Sequence, residues 1–288
     1  MKNKKINFGK TILMLLICGL FYLNAYNANA QINIKEEKVN TKFNKTLSVK
    51  LNAGDVIVAT WDKEEINVKI TGNEAAKENF DFFITPTDDG IDVKSEKKSK
   101  NQLKNVNLKV EITIPYKYEA NINIKGGDII LKNLTGNIIL NTAGGDIIVE
   151  NINGISNLNT AGGDIKLINF SGDVNVNTAG GDIVLSGSGG KVNSNTAGGD
   201  IKLTYAGENK GLSLNTAGGD IVVNIPENFQ ADCSLTSMGG DIESDIPVDG
   251  ITKPNKDKPL KKLYGKMNSG GSEFKCSTSG GDIIVKKN

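Results

Sequence analysis

The 288-residue chain contains no histidine, and the 34 residues counted as basic are all lysine, because arginine is absent too. Each absence closes off some chemistry. Without histidine there is no conventional base for a serine or cysteine nucleophile and no imidazole metal ligand. Without arginine there is no planar fork to clamp a phosphate or a carboxylate through two hydrogen bonds. Trp61 is the single tryptophan, so a row of aromatic platforms for stacking sugar rings is also missing. The net charge of +1 gives no basic field to hold nucleic acid, which is not expected as a partner.

Only one long apolar run is present, and it lies at the start. Lys2, Lys4, Lys5 and Lys10 precede an apolar stretch over Thr11–Leu23, and Ala28-Asn29-Ala30 follows. That order of basic, apolar and small residues reads as a secretory signal peptide over 1–30, with Gln31 as the mature N-terminus. An uncleaved anchor would need a longer run. A lipid anchor at Cys18 would need a small residue where Ile17 stands. Removing the segment takes away four lysines and no acid, so the net charge falls from +1 to −3. The expectation is an exported chain with no integral membrane span, placed in the periplasm, on the outer-membrane surface or outside the cell.

What the chain has in abundance is one phrase. Asn-Thr-Ala-Gly-Gly-Asp-Ile occurs at 141–147 and again with its aspartate at Asp164, Asp182, Asp200 and Asp220. Diverged copies put aspartates at Asp128, Asp241 and Asp282, so that the spacings run 18, 18, 18, 18, 20 and 21, then 41. A period of about 20 residues marks a solenoid, in which no single layer can bury its own apolar face. Each aspartate is followed by an alternating pair such as Ile147/Val149, Ile165/Leu167 or Ile201/Leu203. A second alternation, as in Ile138/Leu140 or Val174/Val176, returns before the next copy. Period-2 alternation is the pattern of strands with one buried face. Each turn therefore holds two short strands, and the fold class is all-β, a parallel β-solenoid (β-helix) with turns of about 18 residues. The general chirality of β-crossovers makes right-handed winding the expectation. Gly144-Gly145 and their equivalents are read as corner residues able to take positive φ, and Asn141, Asn159, Asn177, Asn195 and Asn215 as a stacked amide ladder.

These Gly-Gly-Asp-Ile repeats, with Asn52-Ala53-Gly54-Asp55-Val56 upstream and Val110-Glu111-Ile112-Thr113-Ile114-Pro115 before the array, resemble a bacterial putative adhesin family of unknown function with β-strand repeats. The resemblance covers roughly residues 40–288. It implies a secreted or envelope-associated β-solenoid, and it brings no catalytic residues. The interruption between Asp241 and Asp282 departs from the pattern.

Three regions follow: the signal peptide at 1–30, β-rich capping turns at 31–120, and the repeat solenoid at 121–288 with a loop insertion near 246–268. In the capping region Leu47–Leu51 and Val56–Val58 alternate like strands, and Glu74–Phe80 suits a turn or two of helix. Asp89-Gly90 between two apolar runs signals a hairpin. Lys94–Lys104 is a polar, basic loop. A separate N-terminal β-sandwich is the rival reading of this part.

The file of acids is the obvious place to look for chemistry. Charges about 5 Å apart in water repel by roughly 0.8 kcal/mol per pair, so the file needs a reason to exist. One is structural, each aspartate capping its corner by accepting backbone N–H groups. Another is a calcium ladder along Asp128, Asp146, Asp164, Asp182, Asp200 and Asp220, since calcium takes files of carboxylate and carbonyl oxygens. Calcium-binding β-rolls, however, separate the aspartate from the glycine pair, whereas here it follows directly. Acids that are the pattern itself also do not form a local catalytic break, as a glycosidase pair would. No catalytic residue, cofactor or metal is assigned. Thr142, Thr160, Thr178, Thr196 and Thr216 form a further file that could face outward. Cys233 and Cys276 are the two cysteines beyond the leader. They are either a disulfide, as export favours, or two buried thiols, because their places relative to the next aspartate put them on a diagonal. The functional expectation is an exported, non-enzymatic β-solenoid, an adhesin or structural module of the cell envelope whose partner is a surface glycan or protein. The alternatives are an envelope scaffold or sensor with one protein partner, and a calcium-binding β-roll-like protein.

Overall fold

Alternating aliphatic and polar side chains decide both where the strands run and which way they face. The structure is a computed structural model describing residues 31–98, 105–252 and 261–288. The signal-peptide reading, most of the Lys94–Lys104 loop and the lysine-rich stretch at 253–260 thus fall largely outside the described residues. The first part of the chain forms β1 (Ile32–Asn40), β2 (Thr46–Leu51), β3 (Asp55–Trp61), β4 (Glu65–Gly72), one short helix α1 (Glu74–Asn79), β5 (Phe80–Thr87), β6 (Gly90–Lys97), β7 (Leu108–Pro115) and β8 (Glu119–Ile124). The array continues with β9 (Ile129–Thr135), β10 (Ile138–Asn141), β11 (Ile147–Asn153), β12 (Ser156–Asn159), β13 (Ile165–Ser171), β14 (Val174–Asn177), β15 (Ile183–Ser188) and β16 (Val192–Asn195). Next come β17 (Ile201–Ala206), β18 (Leu212–Asn215), β19 (Ile221–Ile225), β20 (Ala231–Ser237) and β21 (Ile242–Ser244). The chain ends with β22 (Val248–Thr252), β23 (Lys261–Met267), β24 (Glu273–Thr278) and β25 (Ile283–Lys287).

Two sheets face each other. The first has 12 strands and the second 13. Through the array the pairings are parallel and in register, apart from one irregularity between Ile168 and Phe170 where β13 meets β15: Ile129, Ile147, Ile165, Ile183, Ile201, Ile221 and Ile283 stand in one column. All seven are fully buried, and burying each is worth about 1.5–3 kcal/mol. The chain is thus a parallel β-solenoid, with rungs about 4.8 Å apart. Within the core, bulk alternates with its absence. Gly187 lies in register between Phe170 and Tyr205, and a Cβ on it would meet the Phe170 ring at 2.5 Å.

The rungs are not stacked in chain order at either end. β24 lies between β18 and β20, and β25 between β19 and β21. The last rung of the chain therefore fills a slot between two rungs made earlier. At the other end β2 lies between β6 and β8, and β3 between β7 and β9. The sequence spacing, read as a simple succession, does not contain this. Antiparallel strands then finish the stack: β1 on β4, β4 on β7 and β5 on β6 at one end, and β22 on β23 and β23 on β20 at the other. Three of the four outermost strands are poor templates for further pairing. β1 carries Lys35, Glu36, Glu37 and Lys38, β5 carries Pro86, and β21 has only three residues. The helix and hairpin of the capping region stand where their residues place them. Asn73 caps α1 by accepting the Ala76 N–H at 3.0 Å, and Asp88-Asp89 joins β5 to β6.

Candidate functional site: the stacked side-chain files

Each repeat position becomes a file running the length of the array. In the acidic file each carboxylate reaches one rung along and accepts a backbone N–H. Asp128 Oδ1 takes the N–H of Asp146, Asp146 that of Asp164, Asp164 that of Asp182, Asp182 that of Asp200 and Asp200 that of Asp220, each at 2.8 Å. The file then follows spatial order rather than chain order: Asp220 Oδ1 accepts from Asp282, and Asp282 Oδ1 from Asp241. One oxygen of each of these aspartates is thus committed to the N–H of the next corner, except at Asp241, which ends the file and pairs its Oδ1 with Lys261. Among the described residues no group of three or more acidic or cysteine side chains is placed to hold a metal ion. With one oxygen of most of these acids already bonded to backbone, thermal melts with calcium and with a chelator are expected to give the same Tm; a rise with calcium of the size mass action gives a tight site would support the ladder.

In the five identical copies the corner glycines work by proximity, which corrects the positive-φ reading there; in the diverged copies Gly54 and Gly127 do take it, with φ of 102° and 113°. Neither Gly144 nor Gly145 lies in the left-handed region. The second glycine of each pair is instead pressed on the rung before: a Cβ on Gly163 would stand 2.1 Å from the Gly145 carbonyl oxygen, and one on Gly181 2.0 Å from that of Gly163. The first glycine starts with room, with nothing within 4 Å of a Cβ on Gly144, and the space narrows along the array to 3.2 Å at Gly218.

The threonine file faces inward. Thr142, Thr160, Thr178, Thr196 and Thr216 are buried. Thr178 donates its hydroxyl to the Gly163 carbonyl at 2.9 Å and accepts the Gly181 N–H at 3.3 Å. The hydroxyl ties the corner of its own rung to the rung before, so it offers no outward lattice. Thr178→Val keeps the shape and leaves a buried carbonyl and N–H without that partner, a loss of about 1–3 kcal/mol. Thr178→Ser should recover most of it in urea unfolding.

The amide ladder runs over the outer face of the second sheet. Asn141 donates to Asn123, Asn159 to Asn141, Asn177 to Asn159, Asn195 to Asn177 and Asn215 to Asn195, at 2.7–3.0 Å. A second file joins Asn193 to Asn175 and Asn175 to Asn157 at 3.2 and 3.1 Å. A third, which the sequence reading missed, links Asn169 to Asn151 and Asn151 to Asn133. Those three asparagines have φ of 57–61°, and their spacing of 18 residues was the available signal. The first sheet differs in character. Its outer row reads Ile130, Ile148, Lys166, Val184, Lys202, Val222 and Ile284, and the next carries a Lys132–Glu150 ion pair at 3.0 Å.

Cys233 and Cys276 are both buried free thiols in this structure. Cys233 is level with Phe274, and Cys276 with Leu235, so the pair is offset by two residues on neighbouring strands. A diagonal of that kind spans about 7–8 Å, beyond ordinary disulfide reach; bridging requires a shift of register. Burial pushes the Cys233 thiol up to about 12 and Cys276 well above its ordinary value of 9. Raised folded-state values mean that thiol burial costs nothing below pH 9, where both states are protonated. Between 9 and 12 the unfolded chain alone ionises, and the native state loses about 1.4 kcal/mol per pH unit through Cys233. Cys233→Ala should flatten that alkaline limb, and a reductant should leave the neutral-pH Tm unchanged.

The sequence matches the Toastrack DUF4097 family over residues 32–286. The chain belongs to that family. No curated protein is similar to it. Among solved structures, a "putative lipid binding protein" from Parabacteroides distasonis is 19% identical, with a TM-score of 0.51, covering 90% of this chain and 97% of its own. A "putative adhesin" from Bacteroides fragilis is 12% identical over 91% of this chain and 98% of its own, with a TM-score of 0.37. A "putative cell adhesion protein" from Clostridium sporogenes is 15% identical over 88% and 99%, with a TM-score of 0.27. At these identities the first likeness is one of fold alone. None of these three solved structures is named as an enzyme. No helix among the described residues is long and apolar enough to cross a membrane.

Proposed function

We propose that this Toastrack chain is an exported, non-enzymatic β-solenoid that serves as an adhesin or structural module of the bacterial cell envelope. The observation that carries the reading is the registration of the five identical copies, which spreads every polar side-chain type into a stripe. A catalytic site gathers unlike groups at one place, whereas here like groups repeat along a column and their hydrogen bonds hold neighbouring rungs. A rigid column with repeated stripes suits attachment through many weak, equivalent contacts. The basic and apolar start of the sequence, read as a signal peptide, supports export. The test is protease shaving of intact cells, followed by adsorption of the purified chain to immobilised glycans and matrix proteins. Cleavage at the surface together with adsorption is expected. Full protection in intact cells but not in lysed ones, or turnover of any polymer in the screen, would overturn it.

A further inference from the structure

The outer face of the second sheet carries a block of uncharged outward pairs over six strands, with Glu119 at the start of β8 the one charge among their outward positions. From β8 to β18 its outward pairs are Asn121/Asn123, Ile139/Asn141, Asn157/Asn159, Asn175/Asn177, Asn193/Asn195 and Ser213/Asn215. The register sets these pairs one above another. The result is a grid of amides, about 4.8 Å from rung to rung and about 7 Å along each strand. An asparagine amide has two N–H donors and a carbonyl oxygen with two lone pairs. The ladder uses one donor and one lone pair of each amide inside the run. Each interior amide therefore keeps one donor and one acceptor for a partner, at the same place on every rung. Asn177, Asn193 and Asn195 are exposed.

The grid's surroundings select among partners. Ile139 is the one large apolar side chain on it, too little for an apolar protein surface to bury. The acidic file runs along the adjoining corner, five residues after each asparagine of the ladder, and repels polyanions. Lysines flank the grid, with Lys50 level with Asn123, Lys275 level with Ser213 and Lys191 just before β16, but none stands among its outward pairs. What fits paired donors and acceptors without charge is a chain of hydroxyl groups, and the rung spacing is comparable with the length of one extended pyranose unit. We infer that the amide face binds an uncharged polysaccharide laid along the stack, about one sugar per rung; this rests on the adhesive reading above and names its ligand class. With no aromatic platform, each contact is weak and binding depends on polymer length.

The test is depletion of the purified chain by insoluble cellulose, chitin and mannan, against alginate and heparin beads, at low and high salt. Adsorption to at least one of the three neutral polymers, unaffected by salt, is expected. Asn177→Lys with Asn195→Lys should weaken it by about tenfold or more, since several repeated contacts are lost together. Ile139→Lys puts a charge on the face without touching any ladder bond, so its weaker binding reports on the surface and not on folding. Lys166→Asn with Lys202→Asn, on the other sheet, should leave adsorption unchanged. Adsorption only to the polyanions, disappearing at high salt, would overturn the inference. So would no adsorption to any of the three neutral polymers, or a loss confined to the lysine variants. If the chain still bound cells or matrix proteins in those cases, the adhesive reading would stand without this ligand class.

Discussion

Gly181→Val should cost the protein more than 4 kcal/mol, at the extreme of single substitutions, while Gly144→Ala should leave it within about 1 kcal/mol of the parent or slightly raise its stability. Both are corner glycines of the repeated phrase, in copies two apart, and sequence alone does not rank them. The difference is one of distance. A Cβ at 181 falls 2.0 Å from the Gly163 carbonyl oxygen, well inside contact, and the obstacle is backbone. Relief requires the two rungs to part, and parting them lengthens the hydrogen bonds of both sheets and the bond from Asp182 to Asp164 beside it. At 144 the added methyl meets nothing within 4 Å, and replacing glycine there also narrows the unfolded ensemble. Urea unfolding of the two variants side by side checks this; equal losses would mean that the corners are not packed rung on rung.

Phe274→Ala is expected to cost about 3–5 kcal/mol, although the residue lies within fifteen of the C-terminus, where substitutions are ordinarily mild. Phe274 is fully buried. Its ring packs edge-on to Phe229 with centroids 6.0 Å apart, and Phe229 in turn packs on Tyr205 at 6.2 Å. Its strand is held on both sides, with Phe274 level with Leu212 on one neighbour and Cys233 on the other. Removing the ring hollows the core between two rungs. A terminal strand lying outside the stack would lose far less. Thermal and urea unfolding of Phe274→Ala beside Val285→Ala, a smaller side chain of the same rung, measures the difference.

The regular part of this fold is legible because one rule repeats. Aliphatic residues two apart, as in Ile165/Leu167 and Val174/Val176, face inward on strands that each copy re-states, so register and fold class follow from arithmetic. The structural reading of the aspartates was also available, because an acid next to a tight corner has backbone N–H groups within reach. Three features were not. Thr178 beside a corner can face either way, and only the buried Gly163 carbonyl shows that it turns in. The glycine pair announces a corner without telling conformational freedom from close approach. The order of rungs at the two ends is set by pairings such as Ser213 with Lys275, 62 residues apart, and no spacing encodes which rung lies between which. As to the surface, the Asn141–Asn215 ladder is visible in the sequence, but the block of uncharged outward pairs to which it belongs appears only when positions from six strands are laid side by side.

Everything above depends on copies lying directly over one another, with the final rung slotted between Leu212–Ile225 and Ala231–Ser244. Pairwise oxidation of cysteines placed at outward positions of the second sheet tests this most directly. Ser213→Cys with Lys275→Cys, and Lys275→Cys with Ser234→Cys, are level on adjacent strands and should form disulfides readily. Ser213→Cys with Ser234→Cys should not, because a whole strand separates them and the gap of about 9.6 Å, twice the rung spacing, exceeds disulfide reach. Efficient bridging of that last pair, with failure of the first two, would mean that the rungs stack in chain order and would contradict the fold described.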